Sequence, residues 1–193
     1  MALPSPPVVP LPERPAGPVC LGFLTILHEA SGHLGGYLVT NTWGRPLEFR
    51  LSSAVQPNKV QQILYGSTLL PYVCADLIGK TLVDKAGVAV GLVVTDREAV
   101  LDLRLKLDVP VVWLASAEDP RALALAGGRG AVAAAHAGRG PVLCHPHFAS
   151  LDVPAAREFL GRLDSAFDLA EPFGRIREAI AEARKLGVAG RAA

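Results

Sequence analysis

Residues 19–51 read VCLGFLTILHEASGHLGGYLVTNTWGRPLEFRL and residues 88–114 read VAVGLVVTDREAVLDLRLKLDVPVVWL. Between these two stretches the hydrophobic pattern changes its period. In the first, the Val, Leu, Phe, Thr and Ile content of residues 19–27 suits a mostly buried strand. His28-Glu-Ala-Ser-Gly-His33 is a polar connection, and residues 37–40 continue as a second strand. Asn41-Thr-Trp-Gly44 reads as a tight turn in which Gly44 is free to take a positive φ. Leu47, Phe49 and Leu51 then alternate with Glu48 and Arg50, the pattern of a strand with one wet face. The first third therefore reads as a three-stranded antiparallel meander.

Working outward, Pro57 and Asn58 open a short helix with Val60, Ile63 and Leu64 on one side, and Gly66 and Ser67 interrupt it. A second helix follows, with Pro71 tolerable in its first turn. Its stripe is Leu70, Val73, Cys74, Leu77, Ile78 and Leu82, spaced by threes and fours. Residues 88–94 read as a buried strand ending at Thr95-Asp96, residues 97–107 as a charged helix or turn, and residues 109–114 as the next buried strand. Strand, crossover and strand at this spacing predict parallel neighbours. Residues 121–137 are alanine-rich and broken by Gly127, Gly128 and Gly130, which predicts an alanine-rich helical C-terminal part from about residue 119. Residues 141–145 fit a short strand and 153–163 a helix. Asp168, then Glu171-Pro172, starts a last helix with acids and proline at its positive end. Phe173, Ile176 and Ile180 form its buried stripe, Glu171 faces Arg175 at the supportive spacing, and Gly187 ends it. The fold class expected is α+β or mixed α/β, a meander followed by helices and βαβ-like units.

The chain has 193 residues, which fits one globular domain at 19–193 behind a short appendage. Seven prolines between Pro4 and Pro18 block regular hydrogen bonding and favour polyproline II, so residues 1–18 are expected to be a flexible tail. Those prolines also stand where a cleavable signal peptide needs an apolar helical core. No run approaches the roughly 20 apolar residues that span a bilayer. With 19 basic and 18 acidic residues there is no long single-sign block and no clustered cation set of the kind that drives non-specific nucleic-acid binding. Cys20, Cys74 and Cys144 are far apart, an odd and sparse set that reads as free thiols of a reducing compartment, the cytoplasm by default.

Three antiparallel strands, a helical segment, then alternating strands and helices resembles the element order of the ribonuclease H-like fold over residues 19–145. The resemblance is one of topology. It implies acids that hold divalent metals near a phosphate, one on the first strand and one near the fourth. Asp96 stands at the end of a buried strand, but residues 21–27 carry no acid, and Glu29 and Glu48 lie outside that strand. Two-metal chemistry needs converging carboxylates. Asp96 also has a plain structural reading as a helix cap.

Other chemistry is carried by few residues. His145-Pro-His147, with His28 and His33, supplies transition-metal ligand types without a diagnostic spacing. Cys144 would need His147 or His28 as a base, because its neighbour His145 points to the other face of a strand. Gly79-Lys80-Thr81 ends like a phosphate-binding loop but lies within a helix and lacks the opening glycine. Gly127-Gly-Arg-Gly130 and Gly138-Arg-Gly140 could offer Arg129 or Arg139 to a small anion. Trp43 at a hairpin tip, with Arg45 and Arg50 nearby, marks a contact surface or else folds back over the sheet edge. Asn58, Lys59, Gln61 and Gln62 add a polar face beside it.

The leading expectation is a non-enzymatic interaction or assembly module that meets a protein partner or its own copy through the Trp43 hairpin. One alternative is a metal-dependent hydrolase of phosphodiesters using Glu29, Asp96, His145 and His147 with a divalent metal. Another is a sensor of a small anionic ligand using Arg129 or Arg139.

Overall fold

The computed structural model describes residues 19–122, 131–132, 140–164 and 167–187. The predicted proline tail, Arg129, Arg139 and most of the alanine-rich stretch lie outside the described residues.

Two long strands start the fold, β1 (Cys20–Glu29) and β2 (Gly32–Asn41). They pair antiparallel along their whole length, from Cys20 opposite Asn41 to Glu29 opposite Gly32. The polar residues 28–33, expected as a connection, are mostly strand; only Ala30 and Ser31 turn. Their polarity reflects a sheet end that meets solvent. Strand β3 (Pro46–Leu51) pairs antiparallel with β2, completing the meander. A short helix α1 (Lys59–Tyr65) and a 3₁₀ turn (Gly66–Thr68) lead into a longer helix, α2. Helix α2 begins as Leu69–Pro71, widens to a π-helix over Tyr72–Gly79, and finishes as Lys80–Asp84. Strand β4 (Leu92–Thr95), a 3₁₀ helix (Glu98–Leu105) and β5 (Val111–Leu114) follow. The chain continues through β6 (Ala131–Val132) and β7 (Val142–Cys144), a 3₁₀ turn (Pro146–Phe148), α3 (Ala149–Leu160) and α4 (Glu171–Lys185).

The strands form one sheet in the order β3-β2-β1-β4-β5-β7-β6. As the spacing predicts, β4 and β5 run parallel, and β4 also pairs parallel with β1. Strand β7 instead pairs antiparallel with β5, and β6 with β7, so Ala131 and Val132 are sheet rather than alanine-rich helix. The expected strand at 88–94 starts late for a local reason. The Gly87 and Val88 N–H groups donate to the Glu48 carboxylate, which keeps this segment off the sheet until Gly91 N–H reaches the Cys20 carbonyl.

Strand alternation divides the core into two clusters. On one face Leu24, Ile26, Tyr37, Val39, Val93 and Trp113 pack with Val73, Ile78 and Leu82 of α2 and Leu103 of the 3₁₀ helix. On the other Phe23, Leu38, Val94 and Val112 pack with Leu160 of α3 and with Phe173, Ile176 and Ile180 of α4. The α4 stripe is the one read from the sequence. Of the stripe read for α2, Val73, Cys74, Ile78 and Leu82 are buried and Leu77 packs half-buried against the same core, whereas Leu70 is half exposed. The wider π turn also brings Ala75 and Gly79 into the seam.

Two consecutive glycines let helices close on β2 from both sides. A Cβ on Gly35 would lie 2.2 Å from Ile78 Cγ2, and one on Gly36 would lie 2.4 Å from Ile176 Cγ2.

Candidate interaction site

The β2–β3 turn is built around Asn41. Its Oδ1 accepts the N–H groups of Trp43 and Arg45, both at 3.0 Å, and its carbonyl accepts Gly44 N–H at 3.1 Å. Gly44 has φ +75°, the positive value expected of it, and a side chain there would strike the Phe167 ring. This turn holds Trp43 outward, with the residue 78% exposed. Arg175 of α4 braces the turn from below: one guanidinium nitrogen donates to the Gly44 carbonyl at 2.9 Å and the other meets Glu171 at 2.9 Å.

Beside the indole lies an open pocket of about 450 Å³, lined by Trp43, Gly44, Asp164, Phe167, Asp168, Glu171 and Arg175. Its floor is anchored to the core through Phe167, whose ring centroid is 6.2 Å from that of Phe23. The Asp168 carboxylate accepts the Ala170 N–H just before α4. Three carboxylates, one guanidinium and an aromatic edge line the pocket. The indole offers apolar area and a π face at the rim of the pocket.

Of the other residues assigned to this surface, Arg45 is exposed beside Trp43. Arg50 has a structural engagement. Its Nε lies 2.5 Å from Glu48 Oε1, and Glu48 also holds Gly87 and Val88. Burial pushes the Glu48 carboxyl pKa up, but the hydrogen bonds from Val88, Arg50 and Gly87 outweigh it and leave the pKa below its ordinary value.

The four metal candidates are engaged in other contacts. Glu29 meets Arg184 of α4, and Asp96 meets Arg177 of α4 and, at 3.8 Å, Arg97. Asp96 does not cap the following 3₁₀ helix; the Arg97 N–H goes to Thr95 Oγ1 instead. His145 Nδ1 accepts the His147 N–H at 3.3 Å, and its Nε2 lies 3.6 Å from Asp102. Among the described residues no group of three or more His, Cys, Asp or Glu side chains is placed to hold a metal.

The thiol alternative fares no better. All three cysteines are free and buried. Burial pushes the Cys144 thiol up to about 12, with Asp152 adding to the effect, and Cys74 up to about 11. At neutral pH both are protonated and poor nucleophiles.

Two histidines make stability depend on pH. Burial lowers the pKa of His33, helped by His28, whose ring centroid is 4.5 Å away. Burial also lowers that of His145, against the pull of Asp102. A depressed imidazole pKa means that the unfolded chain binds more protons once the pH falls below the ordinary value of 6.5. Stability is therefore expected to be full above that value and to drop as pH falls through it. Urea midpoints at pH 7.5 and 5.5 measure this above the range in which Glu48 titrates. The double variant His33→Gln, His145→Gln is expected to flatten the drop; an unchanged slope would refute the assignment.

The polar pair that sequence reasoning missed is Arg104–Asp152, with Nε–Oδ2 at 2.7 Å and Asp152 only 1% exposed. The partners are 48 positions apart, and neither has a local signal that points to the other.

No protein-family model matches the chain, and no curated protein matches it. Among the described residues no helix is long and apolar enough to cross a membrane.

Proposed function

We propose that this chain is a non-enzymatic interaction module that docks a protein partner through the Trp43 hairpin. The observation that carries the reading is the exposed indole held on a braced turn at the rim of a pocket. Water-exposed tryptophan is uncommon, and tryptophans of this kind act as anchors in interfaces. The rigid support matters as much as the exposure. Asn41, Gly44 and Arg175 hold the turn before any partner arrives, so little ordering entropy opposes binding.

The test is a photo-crosslinker placed at the exposed Arg45 position of the full chain in its native cells. The expected result is a discrete protein adduct that disappears when Trp43→Ala is added. Trp43→Ala itself is expected to change folding stability by less than about 0.5 kcal/mol, as for other exposed positions. An adduct that survives Trp43→Ala, or a complete lack of adducts, would overturn the proposal.

A second reading, the metal-dependent hydrolase, draws support from the antiparallel meander followed by helices and the parallel β4–β5 unit, the element order on which the ribonuclease H-like resemblance rests. Under that reading Glu29 and Asp96 must be released from Arg184 and Arg177. Stoichiometric metal in protein purified without an affinity metal would promote it over the interaction module.

A further inference from the structure

Helix α1 is a well-formed helix that buries none of its own residues. Asn58 and Gln61 close a reciprocal capping box, each side chain bonding the other's backbone N–H at 2.9 Å. A helix of this length is marginal by itself in water, and its main packing neighbours are the turn and the start of α2 that follow it directly. Yet Val60, Ile63 and Leu64, which share one face by their spacing, are 63%, 69% and 76% exposed. Tyr65, stacked on Tyr72 at 4.4 Å, and Leu70 extend the apolar surface.

We propose that this face is a self-association surface, where α1 of one copy packs against α1 of a second copy about a two-fold axis. Two features favour a second copy as the occupant. The first is charge. Across residues 58–70 Lys59 is the one charged side chain, in a chain that is 19% charged. A two-fold interface places each surface against itself, so a face almost free of charge avoids the like-charge repulsion that a charged face would meet. The second is area. The exposed parts of Val60, Ile63, Leu64, Tyr65 and Leu70 sum to roughly 500–600 Å² per copy, so a pair that covered all of it would bury about 1,000–1,200 Å², the size of a weak, reversible dimer. The surface is separate from the Trp43 pocket, so the two readings fail or survive independently.

The experiment is sedimentation of the full-length chain over a concentration series. The expected result is a monomer–dimer equilibrium with a dissociation constant in the micromolar range. Ile63→Lys and Leu64→Lys are each expected to weaken it at least about tenfold, while Trp43→Ala leaves it unchanged. Both lysine positions are exposed, so the circular dichroism melt of the variants should match the parent and exclude misfolding as the cause. A chain that stays monomeric up to roughly 0.1 mM would overturn the proposal. So would a dimer indifferent to both lysines. Slow hydrogen exchange of the α1 amides in a strict monomer would also overturn it, assigning the face to another segment of the same chain.

Discussion

Replacing Arg104 by methionine is expected to destabilise the fold by about 3–5 kcal/mol, the range for breaking a buried ion pair from one side. Arg104 makes three contacts at once. Its Nε bonds Asp152 at 2.7 Å, its Nη1 bonds the Leu107 carbonyl at 2.6 Å, and its guanidinium carbon lies 4.2 Å from the Phe148 ring centre. These contacts tie the 3₁₀ helix after β4 to the first turn of α3. Methionine retains much of the stem volume but leaves the Asp152 carboxylate in an almost water-free site without its counter-charge. That uncompensated charge, more than the lost attraction, sets the size of the effect. Adding Asp152→Leu to Arg104→Met is therefore expected to recover most of the loss, because two apolar groups need no mutual compensation. Urea unfolding of the two single variants and the double variant measures this as a cycle. A single-variant cost below about 1 kcal/mol would mean that water or another cation already satisfies Asp152.

Gly36→Val is expected to cost about 3 kcal/mol, at the upper end of ordinary overpacking. For a domain of this size that corresponds to a fall in Tm of roughly 6–12 °C. The first added carbon would already lie 2.4 Å from Ile176 Cγ2 and 3.0 Å from Ile180 Cδ1. Both contacts are inside normal van der Waals separation, and α4 can relieve them only by lifting its buried stripe from the sheet. Ile176→Ala in the same chain makes room for the valine. The double variant is expected to melt higher than Gly36→Val alone, although Ile176→Ala by itself removes buried area. Thermal melts of the three variants decide the matter. Additive losses would show that the helix had moved aside without strain.

Particular residues show where local sequence carries structural information. Gly44 in its turn, the acid-proline start of α4, the Glu171–Arg175 pair and the Gly187 terminus follow from conformational preferences within a few residues, and each is present in the fold. The interruption at Gly66 and Ser67 and the burial of Trp113 and Cys74 are of the same kind. The misplaced boundaries of β2 and β4 have a different origin. Gly35 and Gly36 look like turn residues locally but are strand residues because helices press on both sides. Residues 88–91 look like strand but are withheld from the sheet by Glu48.

The candidate site divides along the same line. An aromatic residue at a turn tip was visible as a contact candidate. The pocket beside it was not, because its walls come from residues about 120–130 positions further along the chain. The engagement of Glu29 and Asp96 with α4 arginines likewise depends on elements distant in sequence.

By itself the sequence determined the order of the elements as far as β5, the meander, the parallel β4–β5 pair and the apolar face of the last helix. Periodicity and turn chemistry are short-range and survive without the rest of the chain. Only the tertiary structure decided that Glu29, Asp96 and Asp152 meet distant arginines, that β7 and β6 extend the sheet antiparallel, and that the apolar stripe of α1 is left exposed among the described residues. Those outcomes depend on which distant surfaces compete for the same neighbour, and no local pattern encodes that competition.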